Sequence, residues 1–169
     1  MAELSAQDRL QPALLDRLTD DEPQVRKEPR EVRVMSRQRL RAAVLRDLTW
    51  LFNATRPSTR EADWVGLAAA RRSVLNYGLP PMSGATASTF DVIGLEAAIR
   101  EAVLTFEPRL DPTSLQVEAL STQIALDHHN QIQVQIRGQM WAQPVPIELL
   151  LRTDVDLETG QVEIEDLRP

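Results

Sequence analysis

Apolar positions recur along this chain with two different periods, and the change of period falls at one place. From Ser36 to Phe106 they come at helical spacing, and from Leu115 to Ile164 they alternate. Leu40, Val44, Leu48, Leu51 and Phe52 follow one another at steps of four, four, three and one, which draws a stripe along one helix face. Ser36 stands where an N-cap is wanted, and Asn53 to Pro57 ends the pattern. A second helical stretch is predicted from about Glu61 to Asn76, with Ala68 to Ala70 suited to close packing and Gly78 as the stop. A third leads from Leu95 to Phe106, with Leu95, Ile99, Ala102 and Phe106 on one face and Val103 beside them. Pro108 then disfavours helical torsions at Glu107, which should be extended.

After Arg109 the period is two. Leu115, Val117 and Ala119 alternate with polar residues, and Ile124 and Leu126 continue past a bulge near Ser121 and Thr122. Asp127 to Asn130 reads as a turn. Ile132, Val134, Ile136 and Met140 alternate with glutamines, the signature of a half-buried strand. Pro144 and Pro146 bracket a break, and Ile147, Leu149 and Leu151 alternate again. Asp156 to Gly160 turns a hairpin into a last strand carrying Val162 and Ile164. The pattern predicts an α+β fold, with N-terminal helices packed on one face of a mainly antiparallel C-terminal sheet of about four strands. The last strand, Val162-Glu163-Ile164, is short and acidic. It is expected at an edge, where free backbone groups can take up a partner's strand.

Residues 1–35 carry too few apolar side chains to offset the entropy of ordering them. They are read as a flexible segment, in which Leu14, Leu15 and Leu18 form a docking face for a partner's groove. Residues 36–169 are read as a single α+β domain, long enough to bury a core without staples. A net charge of −6 removes the basic face that a general nucleic-acid binder needs. No apolar run approaches the length of a membrane span, and the N-terminus lacks the basic-then-apolar order of a signal peptide. The absence of cysteine excludes disulfides and fits a cytosolic setting.

Candidate chemistry is sparse. His128 and His129 are adjacent in the predicted turn beside Asp127, without the spacing of a metal motif, so no metal or other cofactor is expected. Pro80 to Ser88 is a loop without the glycine and lysine pattern of a phosphate cradle. Arg46 and Asp47 are read as a solvated helix face, since neighbours on a helix do not face one another, and Trp50 as a core or edge aromatic. Tyr77 is read as capping the core with its hydroxyl at the edge. Glu107 and Arg109 project to one side of an extended segment at the helix-to-sheet seam, so they pair with each other or with a partner. A glycosidase would use two carboxylates across a cleft, one of which keeps its proton. A cation two residues from Glu107 opposes that, and no sugar-binding aromatic cluster accompanies it, with aromatics at 4%. No catalytic residue is therefore assigned.

Three stretches carry a family resemblance. Phe106-Glu107-Pro108-Arg109-Leu110 resembles the Glu-Pro-Arg motif of contractile-tail baseplate wedge proteins, a group that includes the TssE family of type VI secretion and its phage counterparts. Leu45-Arg-Asp-Leu-Thr-Trp-Leu-Phe-Asn53 and Ser73-Val-Leu-Asn-Tyr-Gly78 are similar to the same pattern, and Pro12 to Asp20 resembles the start of many TssE chains. The resemblance implies a structural, non-enzymatic baseplate subunit that joins TssF and TssG in a wedge, with TssK nearby. Its sheet would be a template on which the TssB and TssC sheath begins to polymerise. It further implies a cytoplasmic location, in a baseplate docked at the inner-membrane complex. A phage or extracellular injection particle is the alternative setting, and a lysozyme-like peptidoglycan hydrolase the alternative activity.

Overall fold

The computed structural model describes residues 13–19, 24, 36–57, 64–82, 91–120, 131–142 and 145–168. Among the described residues, four α-helices precede four strands: α1 Leu14–Leu18, α2 Arg37–Asn53, α3 Ala68–Arg71, α4 Val92–Phe106, then β1 Gln116–Ala119, β2 Gln131–Met140, β3 Ile147–Asp156 and β4 Val162–Asp166. The strands form one antiparallel sheet in chain order, so β1 and β4 are its edges. This is the predicted α+β meander. The longest pairing, between β2 and β3, runs from Gln131–Asp156 to Met140–Ile147.

One face of the sheet carries Ile132, Val134, Ile136, Met140, Leu149, Leu151, Val155 and Val162, all buried. Against it lie Leu40, Val44, Leu48, Leu51 and Phe52 of α2 and Leu95, Ile99, Ala102 and Val103 of α4. Removing such side chains from water contributes about 1.5–3 kcal/mol each, which is what holds the two layers together. The helix ends follow the sequence. Ser36 accepts a hydrogen bond from the Arg39 N–H, and Asp91 accepts one from the Gly94 N–H. Glu107 closes α4 by donating to the Val103 carbonyl and then leaves helical torsions (φ −117°, ψ 79°) ahead of Pro108.

The stretch expected to be one helix from Glu61 to Asn76 is different. Where it is described it consists of the four-residue α3 and a 3-10 turn over Val74–Asn76. Gly66 takes a positive φ of 78° just before α3. After it, the Ser73 hydroxyl donates to the Ala70 carbonyl and accepts from the Leu75 N–H, replacing the bonds that would continue a helix. Val74 and Leu75 are exposed, so no core contact favours a longer helix there. The following segment docks on the end of α2: Leu79 donates to the Ala54 carbonyl, and Arg56 donates to the Leu79 carbonyl. Gly78 allows this approach. Its φ is 111°, and a Cβ there would lie 2.2 Å from the Ala54 carbonyl oxygen. The bulge, Ile124, Leu126, the Asp127–Asn130 turn and residues 83–88 lie outside the described residues, as do residues 1–12 and most of 20–35.

Candidate functional site: a charged seam and two sheet edges

The Glu-Pro-Arg stretch is stitched to the end of β2. The Trp141 N–H donates to the Arg109 carbonyl (2.9 Å), the Asp111 N–H donates to the Gln139 carbonyl (2.8 Å), and Leu110 is buried opposite Met140. This fixes Arg109 over the C-terminal end of α4. Its guanidinium grips Glu107 as a fork, Nε to Oε1 at 2.7 Å and Nη2 to Oε2, while the Arg109 N–H donates to Oε1 at 3.1 Å. Glu107 is 3% exposed. The pair is therefore internal, with Glu107 buried and Arg109 partly exposed, one of the two arrangements the spacing allowed.

The seam extends further than the motif. Arg109 Nη2 also donates to Asp47 Oδ2 on α2 at 2.6 Å. Asp47 Oδ1 accepts from Arg46 Nε at 2.9 Å, and Arg46 Nη1 donates to Asp16 Oδ1 on α1 at 2.6 Å. Five charged side chains thus run unbroken from α1 to the helix-to-sheet junction. Reading Arg46 and Asp47 as a solvated face is corrected here. The long Arg46 side chain folds back to reach its neighbour, which turning around a helix axis alone does not predict. Burial would lower the Arg109 pKa, but hydrogen bonds and charge from Glu107, then Asp47, raise it on balance. Arg46 is likewise raised, first by the Asp16 hydrogen bond.

Beside the seam lies a shallow hollow of about 200 Å³ lined by Asp47, Trp50, Tyr77, Phe106, Glu107 and Arg109 among others. Tyr77 meets Phe106 edge to face at 5.1 Å, and burial, followed by the charges of Asp47 and Glu107, raises its pKa. Trp50 stands half exposed at the rim, under the Arg46 guanidinium at 5.3 Å. Leu14, Leu15 and Leu18 of α1 are all exposed, while Asp16 on the same helix faces Arg46. Asp16 was not singled out in the sequence, and Asp47 was read only as part of a solvated face. The only signal for them is position within the resembling stretches. Among the described residues no group of three or more His, Cys, Asp or Glu is arranged to hold a metal, and His128 and His129 lie outside them.

The second feature is how the sheet ends. In an antiparallel ladder, bonded and non-bonded pairs alternate. Asp156 donates to Gln161, and Leu167 donates to Leu150. With Val155 opposite Val162 and Thr153 opposite Ile164, the backbone of Glu163 and Glu165 faces β3, whereas Val162, Ile164 and Asp166 face outward. Of Val162, Glu163 and Ile164, it is the first and third that supply edge groups. Val162 is already occupied: its N–H donates to Asn53 Oδ1 at 3.0 Å, and its carbonyl accepts from Asn53 Nδ2 at 2.9 Å. At the opposite edge, Ala119 donates to Glu96 Oε1 at 2.6 Å, and the Leu115 carbonyl accepts from Arg100.

Two helices lie over one sheet, with a partly exposed charge seam at their junction. The family model for the baseplate wedge protein gp25 matches residues 38–145, and the chain belongs to that family. Comparison with curated proteins and with solved structures gives no significant match.

Proposed function

We propose that this chain is the TssE-type wedge subunit of a type VI secretion baseplate. In this reading it assembles with TssF and TssG beside TssK, and presents its sheet edge as the starting template for the TssB/TssC sheath. Baseplate membership comes from the family; the particular machine is read from the N-terminal stretch. The observation that carries it is the Asp16–Arg46–Asp47–Arg109–Glu107 chain, which ties that stretch to the Glu-Pro-Arg seam. A segment so held presents Leu14, Leu15 and Leu18 outward as a ready surface for a wedge partner. The location implied is the cytoplasmic side of the inner-membrane complex. The role is structural, since both oxygens of Glu107 are committed to Arg109.

Co-purification with TssF and TssG tests this. The wild type should enter a stable wedge. Leu14→Asp together with Leu18→Asp should fail to enter it while keeping its fold. Assembly instead with phage-tail wedge proteins, or wall hydrolysis lost in Glu107→Gln, would replace this reading by one of its alternatives.

A further inference from the structure

The two edges of the sheet are closed by different chemistry. At β1 the closure is ionic: Glu96 and Arg100, one helical turn apart on α4, hold Ala119 and Leu115. At β4 it is a single neutral carboxamide. Asn53 makes with Val162 the pair of bonds that a neighbouring strand's backbone would make. Asn53 is exposed and is the last residue of α2, where helices fray. Its second amide N–H donates to the Thr49 carbonyl, a bond within its own helix that does not depend on Val162. Immediately beyond Val162, Ile164 and Asp166 turn their backbone groups outward along the same edge.

We propose that Asn53 is a removable guard on the β4 edge. It holds Val162 against stray pairing and swings aside when an extended segment of a partner protein adds along Val162, Ile164 and Asp166. This inference rests on the strand-template reading above. The chemistry of the edge also describes the occupant. Glu163 and Glu165 are exposed on the solvent face beside Asp154, with Arg152 bridging Asp154 and Glu165 and leaving Glu163 facing Asp154. A second copy of β4 would set glutamates against glutamates, so the edge disfavours self-pairing. The fitting segment alternates basic residues on the solvent face with apolar residues beside Val162 and Ile164.

Titration of the isotope-labelled full chain with the acetylated, amidated hexapeptide Lys-Val-Lys-Val-Lys-Val, followed by NMR, tests this. The Ile164 amide should shift and gain protection from exchange, and the Glu-Val counterpart should have no effect. Asn53→Ala should bind about fivefold tighter or more, as expected when two net hydrogen bonds no longer have to be displaced. Ile164→Pro should abolish binding without breaking the β3 ladder, because that N–H points outward. Persisting protection of the Val134 and Ile136 amides certifies the fold, and Asn53→Asp, which keeps only the acceptor, should fall between wild type and alanine. Equal affinity of wild type and Asn53→Ala would overturn the guard alone. Absence of binding by every form would remove the template reading and the guard with it.

Discussion

The seam and the sheet edges use the same kinds of side chain for opposite ends. At the seam, Glu107 is buried and each of its oxygens meets Arg109, so charge is spent on locking α4, α2 and β2 in one arrangement. At the edges, Asn53, Glu96 and Arg100 stand over backbone groups that the strands leave unpaired. Burial sets the difference. A buried ion that loses its partner costs several kcal/mol, because water cannot reach it, whereas a cap at an exposed edge is replaced by water. The seam therefore bears on stability far more than the edge caps do.

The sharpest way to break this contrast is Arg109→Ala, which leaves Glu107 buried and unpaired. It should cost about 3–5 kcal/mol in denaturant melts. Glu107→Ala with Arg109→Ala should cost less than the two singles added, since contacting residues couple. Singles that melt like the wild type but fail to enter the wedge would move the pair from the fold to the interface. Gly78→Ala comes next, at about 2–3 kcal/mol. It forces a side chain into positive φ and onto the Ala54 carbonyl, and so loosens Tyr77 beside the seam. Asp47→Asn should cost about 1–2 kcal/mol, because one charged bond to Arg109 goes while the Glu107 fork remains.

Acid separates the two regions further. At the rim of β4, Asp166 is held by Arg41. Burial would raise the Asp166 pKa, but the Arg41 hydrogen bond, the Arg168 N–H and the Arg41 charge together lower it. A depressed carboxylate contributes its stability above the unfolded value of about 3.9 and loses it as pH falls through the folded value. Urea midpoints of the wild type should therefore fall faster than those of Asp166→Asn below about pH 4. Parallel curves would mean that Arg41 contributes nothing there. The smallest effect is expected at the exposed Arg152–Glu165 pair, where Arg152→Ala should change stability by about 1 kcal/mol or less.

Much of the architecture was legible as period. The α2 and α4 stripes and the alternation in β2 and β3 name most of the core, because burial on one face imposes that spacing directly. The Asp156–Gly160 hairpin was legible too: Asp156 accepts from the Glu158 and Thr159 N–H groups, and Gly160 takes a φ of 74°. The residues around Ser73 were misread as helix because propensity does not reveal a serine that bonds its own backbone.

The amino-acid order by itself determined which faces are apolar, where helix gives way to strand at Pro108, and that Glu107 and Arg109 share a side. Only the tertiary structure decided what they meet. Asp47 lies 62 positions from Arg109, and Asn53 lies 109 from Val162. Such contacts have no period and no local signature. They follow from how α2 lies across the sheet, which is set by the packing of the whole core. The same holds for the edge: a strand's sequence says that it has two sides, but its register against β3 decided that Ile164, and not Glu163, turns its backbone away from the ladder.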